Sequence, residues 1–232
     1  MLRARSGEAD SRRVKAGTIT FFGWFQLLAL MAFLILIVGR TMHLLIHWKV
    51  NPITLGLAGK GKTGLMEVLL FAGVNLWAVV VVFCALSVEG PPFVWTCGVR
   101  LVDGPPAKWL GVAMVLCAFV LLVLALRALG NSWRLGIDEH HPGRLVTAGI
   151  YAYSRNPIYL FFDLYFLGTF LINGGLFFLL MAVLGALNLH YQILREEQFL
   201  ADTHGAVYEA YCDRTARYMA WANLGRSRRQ LG

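Results

Sequence analysis

Five long runs of hydrophobic residues, separated by short polar segments, dominate the pattern along the chain. They cover residues 20–39, 65–86, 109–126, 158–172 and 176–194. A helix needs about 20 apolar residues to cross a bilayer core of about 30 Å, and residues 20–39 form an uncharged run of that length. The pattern therefore predicts an all-α membrane protein with about five transmembrane helices, the last two joined as a helical hairpin.

The composition and the charge distribution support this interpretation. Of the 232 residues, 58% are hydrophobic and 15% are charged, whereas soluble proteins carry about 25% charged residues. No small-residue cleavage site follows the first run, so we expect it to remain in the protein and not to be removed as a signal peptide. Lysine and arginine number 14 on the side of the C-terminus and 7 on the other side. This asymmetry predicts a multi-pass protein whose C-terminus and loop 127–157 are cytoplasmic.

We divide the chain into four parts. Residues 1–19 form a basic N-terminal segment, 20–126 hold three transmembrane helices, and 221–232 form a basic tail. Between them, residues 127–220 hold most of the polar residues of interest, the hairpin 157–200 and a cytosolic C-terminal helix. The net charge of +8 fits membrane boundaries and anionic lipids. No nucleic-acid partner is expected, and the scattered cysteines predict neither a metal site nor a disulfide framework.

The stretch GLAGKGKT at residues 56–63 matches the phosphate-binding pattern GxxxxGK[ST]. That pattern works when a strand delivers the glycines and the following helix packs on a sheet. Here a predicted membrane helix precedes the stretch, and a hydrophobic run follows it. We therefore do not expect the chain to bind a nucleoside triphosphate.

The sequence of the loop before the fourth hydrophobic run predicts an anion site. Asn156 precedes Pro157, which keeps Asn156 out of helical geometry; asparagine is a common N-cap and proline is favoured at the first helical position. A helix should therefore begin at Pro157 and direct its positive end into the loop that holds Arg155. Arg155 is suited to pair with a carboxylate. The other interpretation is an interfacial loop whose arginine and tyrosines only anchor the membrane boundary.

Polar residues also interrupt the last two hydrophobic runs. Asp163 and His190 lie at membrane depth, where such groups are costly unless they face protein or a wet cavity. His190 and Glu197 share one face of the predicted helix because they are seven residues apart. The adjacent acids Glu196 and Glu197 follow this run, and acidic groups next to a basic loop could bind a cationic ligand.

These residues resemble the integral-membrane methyltransferases related to isoprenylcysteine carboxyl methyltransferase and the phospholipid N-methyltransferases. The family pattern is roughly GxYxxxRHPxY, a helical hairpin, and EExxLxxxFGxxYxxY followed by an arginine. The resemblance covers about residues 127–220, with Asn156 in place of the usual histidine and His204 in place of the usual phenylalanine. The matching positions are Gly149, Tyr151, Arg155, Pro157, Tyr159, Glu196, Glu197, Leu200, Gly205, Tyr208, Tyr211 and Arg217.

The resemblance implies S-adenosylmethionine-dependent methyl transfer to a lipophilic or small acceptor, such as an isoprenylcysteine-like carboxylate, a thiol or an amine, that enters from the membrane lipids. We also predict three catalytic residues. Arg155 would orient an anionic substrate group or the cofactor carboxylate, and Glu197 with His190 would position or deprotonate the acceptor. The expected cofactor-binding residues are Leu145, Val146, Gly149, Tyr151, Tyr153, Asn156, Pro157, Tyr159 and Glu196.

Three alternatives stay open at this point. A related fold serves sterol reductases that use NADPH, so a membrane oxidoreductase is one alternative. A non-catalytic membrane scaffold that keeps the family skeleton is another. The third is a histidine-cluster oxygenase, suggested by His43, His47, His140 and His141, although such clusters use more histidines than the six present here.

Overall fold

The computed structural model describes residues 19–48, 62–86, 99–130 and 145–219. Within these ranges the chain is helical, with no β-strand beyond an isolated bridge between Arg100 and Gly175, and the predicted all-α fold is confirmed. The helices are α1 (Phe21–Trp48), α2 (Lys62–Ala85), α3 (Pro105–Leu129), α4 (Pro157–Asn173), α5 (Leu176–His204) and α6 (Ala206–Arg214), with a 3-10 turn at Gly149–Ala152 before α4.

Several sequence features lie outside the described residues. The basic N-terminal segment up to residue 18 and the basic tail 221–232 are among them. So are residues 49–61, which hold most of the phosphate-loop-like stretch, and residues 131–144, which hold His140 and His141.

The helix lengths fit an integral membrane protein. Helices α1, α2, α3 and α5 are long and apolar enough to cross a membrane, and α4 is a shorter apolar helix of 17 residues. At 1.5 Å per residue, α4 is about 26 Å long, close to the thickness of a bilayer core. Helices α1 and α5 reach 28 and 29 residues, so both continue past the hydrophobic runs from which they were predicted.

Contacts between distant parts of the chain define two sides of the helix bundle. On one side, Asn173 at the end of α4 donates from Nδ2 to Oε1 of Gln26 in α1 at 2.6 Å, and Leu101 N–H donates to the Gly174 carbonyl at 2.7 Å. On the other side, the Arg40 side chain in the second half of α1 donates to the Gly130 carbonyl at the end of α3. The start of α4 and the second half of α5 lie on this second side, as the alternating order of the runs predicts.

Close packing fixes α4 inside the bundle. An added Cβ at Gly111 of α3 would lie 2.6 Å from the Gly168 carbonyl oxygen of α4, and one at Gly168 would lie 2.9 Å from the Gly111 carbonyl oxygen. Small residues permit this approach of two membrane helices. From α2, the buried Trp77 donates from Nε1 to the Thr169 hydroxyl at 3.1 Å. These contacts hold α4, and therefore the loop at its start, in a defined position.

Candidate functional site

Glu197 of α5 lies at the centre of a charged cluster and is only 8% exposed. Its Oε1 accepts from Nε and Nη2 of Arg155 at 3.1 and 3.0 Å. Its Oε2 accepts from Nε and Nη2 of Arg217 at 2.9 and 2.8 Å. Asn156 adds a hydrogen bond from Nδ2 to Oε1 at 3.1 Å. Each carboxylate oxygen is therefore held by one guanidinium group, in charge-assisted bonds that are stronger than neutral ones.

Arg155 joins three segments of the chain through its guanidinium group. Besides its bonds to Glu197, it donates from Nη1 to the carbonyl oxygens of Cys212 at 3.3 Å and Thr215 at 2.9 Å. Its backbone N–H donates to the carbonyl of Ala216 at 3.0 Å. The loop before α4, the second half of α5 and the chain after α6 are therefore tied together at this residue.

Helix α4 begins at Pro157, as predicted. Asn156 occupies the N-cap position without a side-chain capping bond. Its Nδ2 instead donates to Glu197 and to the Arg217 carbonyl, the latter at 3.2 Å. The predicted N-cap position and helix start are therefore confirmed, and the Asn156 amide group makes a charge-assisted bond to a carboxylate, which is stronger than a neutral bond.

The two adjacent acids of α5 have different surroundings. Glu197 is neutralised by Arg155 and Arg217, whereas Glu196 accepts a hydrogen bond at Oε2 from the Tyr159 hydroxyl at 2.8 Å. Tyr159 lies in the first turn of α4, so Tyr159 and Glu196 form a second link between α4 and α5. Glu196 takes part in none of the ion pairs that surround Glu197.

The turn before α4 packs against α6. The Tyr211 hydroxyl donates to the Tyr151 carbonyl at 2.7 Å. Burial raises the pKa of both tyrosines, so both hydroxyls keep their protons. Gly149 has φ +66°, a conformation that favours glycine, and a Cβ there would lie 3.3 Å from the Ala128 Cβ. Tyr153, by contrast, is 42% exposed.

The remaining residues expected around a cofactor line the same segment. Leu145 and Val146 are partly buried in the extended chain that leads into the 3-10 turn. Pro157 is fully buried at the start of α4. These three residues supply apolar surface beside the tyrosines of the turn.

His190 lies on the same face of α5 as Glu197, two turns closer to the membrane centre. Its Nδ1 is 2.6 Å from the Tyr218 hydroxyl, and the two rings stack with centroids 6.1 Å apart. Burial, followed by the charge of Asp163, raises the pKa of Tyr218. Asp163 of α4 is therefore close to this pair, and its buried Oδ1 has no hydrogen-bond partner among the described residues.

The structure brings together Arg155, Asn156 and Glu197 and places Tyr159 against Glu196. Sequence reasoning left two participants out of the expected site. Arg217 had a signal, since it occupies the arginine position that ends the family pattern. Tyr218 had none, because only the folded chain after α6 brings it to His190.

Within the described part of the chain, no three histidine, cysteine or acidic side chains are grouped so that they could hold a metal ion. The rings of His43 and His47 on α1 lie 4.8 Å apart, without a third such residue beside them in the described ranges.

A family model described as phospholipid methyltransferase matches residues 106–207, from the start of α3 to the start of α6. No curated protein matches the chain. The matched region contains Arg155, Glu196 and Glu197, and its family implies methyltransferase activity at a membrane. The resemblance to membrane methyltransferases is thus confirmed over residues 106–207, which match the phospholipid methyltransferase family model.

Proposed function

We propose that this protein is an S-adenosylmethionine-dependent methyltransferase that acts on a lipophilic or small acceptor at the membrane. One observation carries the proposal: the loop before α4 meets the twin acids of α5. Arg155 and Glu197 are 3.0 Å apart, and Tyr159 and Glu196 are joined at 2.8 Å. Both halves of the family pattern therefore contribute to a single site.

The residues around Glu196 fit this methyl donor. When bound, S-adenosylmethionine supplies an activated methyl group that a nucleophile takes by direct displacement. Glu196 is a partly buried acid with a tyrosine as its described partner, and it suits the ammonium group. Tyr151, Tyr153 and Tyr159 offer aromatic faces with polar tips for the adenine and the ribose.

The apolar and backbone parts of the loop complete the proposed cofactor site. Leu145 and Val146 supply apolar surface, and Gly149 permits the tight turn. Asn156 and Pro157 set the start of α4, whose positive end favours an anionic group nearby. All of these residues precede or begin the helix that carries Tyr159.

For Arg155 and Glu197 we propose a positioning role. Both carboxylate oxygens of Glu197 accept hydrogen bonds from guanidinium groups, and Arg155 donates to Glu197 and to two backbone carbonyls. The site keeps its shape while both side chains stay bonded to these partners. Their function is to hold α4, α5 and the chain after α6 in the arrangement that the substrates need.

For His190 we propose contact with the acceptor. The tautomer with hydrogen on Nδ1 donates to the Tyr218 oxygen and leaves Nε2 to accept the proton that a thiol or a protonated amine releases. Leu187 and Leu194, three residues before and four residues after His190 on α5, are exposed. A lipophilic acceptor could therefore approach His190 sideways from the bilayer.

We place this end of the bundle on the cytoplasmic side. The excess of lysine and arginine supports this orientation, with 14 on the side of the C-terminus against 7 on the other. A cytoplasmic site also has direct access to the cellular pool of a charged, water-soluble methyl donor.

Calorimetric titration of the protein in lipid nanodiscs tests the proposal against its alternatives. We expect saturable binding of S-adenosylmethionine and none of NADPH, followed by transfer of a labelled methyl group to a component of a membrane extract. Binding of NADPH alone would instead support a reductase. Binding of neither would support a scaffold.

A further inference from the structure

Helix α5 carries a second polar face that the Glu197 cluster does not use. Gln192, Arg195 and Glu196 are spaced at i, i+3 and i+4, so they lie together on one face within a single turn. Each residue rotates about 100° around the helix axis, which directs Glu197 and His190 toward the opposite face. One face of α5 is therefore occupied by internal partners, and the other presents a basic, an acidic and an amide group.

Two of these groups are buried without a partner. Gln192 is only 7% exposed, and its Nε2 has no hydrogen-bond partner within the described ranges. The same holds for the buried Nη1 of Arg195. Buried donors are normally satisfied, and leaving a charged one unsatisfied is costly. Two adjacent buried donors therefore indicate a bound acceptor, and the charge of Arg195 favours an anion.

The arginines of the Glu197 cluster are less suitable for this task. Arg155 and Arg217 each direct two N–H groups to Glu197, and Arg155 uses another nitrogen for two backbone carbonyls. Recruiting either one to a ligand would break one of the two ion pairs of the buried Glu197 carboxylate. Arg195 can bind an anion without breaking an ion pair in the described structure.

We propose that Gln192 and Arg195 bind the carboxylate of the methyl donor while Glu196 binds its ammonium group. This inference rests on the proposed function and assigns two further binding residues to it. The amino-acid end of the donor carries both charges on neighbouring atoms, and the turn from Gln192 to Glu196 offers the matching charges on neighbouring residues. Direct binding by a guanidinium and an amide would fix the orientation of the donor.

The test compares two ligands by calorimetry in nanodiscs: S-adenosylmethionine and its decarboxylated form, which lacks the carboxylate. The unaltered protein should bind the complete ligand about tenfold more tightly, as expected for a charge-assisted hydrogen bond. Arg195→Met and Gln192→Leu should each weaken binding of the complete ligand and leave binding of the decarboxylated ligand unchanged. The ratio of the affinities for the complete and the decarboxylated ligand should therefore fall toward one in Arg195→Met.

Arg127→Met is the matched control, because Arg127 is an exposed arginine at the end of α3. This variant should bind the complete ligand about tenfold more tightly than the decarboxylated one, as the unaltered protein does. Thermal unfolding checks that each variant is folded, and Gln192→Leu provides an independent test if Arg195→Met does not fold. Equal affinity of the unaltered protein for both ligands, or equal weakening of both by Arg195→Met, would overturn the inference while leaving the proposed function in place. Absence of binding of either ligand to the unaltered protein would overturn both.

An anionic lipid headgroup could occupy the same donors. In that case Arg195→Met would reduce turnover of a phospholipid acceptor without changing the affinity for S-adenosylmethionine. That outcome would also contradict the inference.

Discussion

Arg155 and Glu197, 42 residues apart in the chain, are joined by two N–H···O bonds from one guanidinium to a single carboxylate oxygen, at 3.1 and 3.0 Å. The other oxygen is held in the same way by Arg217. This arrangement makes Glu197 the residue through which the start of α4, helix α5 and the chain after α6 depend on one another.

Replacing Glu197 by glutamine should destabilise the protein. Arg155 and Arg217 would then face each other without a neutralising charge, and removing one partner from a buried ion pair costs roughly 3–5 kcal/mol. Thermal or denaturant unfolding in detergent measures the loss. An unfolding midpoint equal to that of the unaltered protein would contradict the positioning role.

The two arginines should not contribute equally to stability. The Arg155 side chain is 12% exposed and that of Arg217 is 38% exposed. Water screens the more exposed pair, so Arg217→Met should cost less stability than Arg155→Met. Parallel unfolding of the two variants checks this order, and the reverse order would show that exposure does not govern these pairs.

Tyr159→Phe should weaken binding of S-adenosylmethionine. The hydroxyl donates to Glu196 at 2.8 Å and orients the acid that we assign to the ammonium group. A hydrogen bond of this kind contributes about 1 kcal/mol, or roughly fivefold in affinity. Tyr191→Phe is the control because Tyr191 is exposed on α5 outside the proposed site and should keep its affinity. Equal effects of the two substitutions would argue against the role of Glu196.

His190→Gln should separate turnover from cofactor binding. If Nε2 accepts a proton from the methyl acceptor, kcat with a thiol or amine should fall by roughly 100-fold or more. The affinity for S-adenosylmethionine should stay unchanged, since the described partner of the His190 ring is Tyr218 and not a residue assigned to the cofactor. Tyr218→Phe should also lower kcat, by a smaller factor, because the ring loses its 2.6 Å partner. A parallel loss of cofactor affinity would point to a structural role instead.

Gly168→Ala should destabilise the bundle. The new Cβ would lie 2.7 Å from a side-chain carbon of Val115 and 2.9 Å from the Gly111 carbonyl oxygen, so α3 and α4 would have to move apart. Overpacking of this kind costs about 1–3 kcal/mol. Gly73→Ala is the matched control, since nothing lies within 4 Å of a Cβ at that position. Unfolding in detergent should show a loss for the first variant and little change for the second.

Local rules predicted much of the fold. The hydrophobic runs predicted the membrane helices, and the pair Asn156-Pro157 predicted the start of α4. The hydrophobic runs underestimated the lengths of α1 and α5, because a helix can continue through polar residues once it has left the hydrophobic core of the bilayer. The meeting of the Arg155 loop with the acids of α5 followed from the family pattern.

The side-chain partners could not be derived in the same way. The sequence predicted Asn156 at the start of α4 but not the bond from its side chain to Glu197, which lies 41 residues away. Arg217 reaches Glu197, and Tyr218 reaches His190, only after α6 has turned the chain back. Long-range contacts of this kind leave no periodic signal, whereas caps and helix starts depend on adjacent residues.

Titration of S-adenosylmethionine into the nanodisc-embedded protein and its Glu196→Gln variant tests the central claim most directly. The account predicts saturable binding to the unaltered protein and about tenfold weaker binding to the variant, because a charge-assisted bond to the ammonium group is lost. Absence of binding to the unaltered protein, or equal affinity in the two proteins, would contradict it.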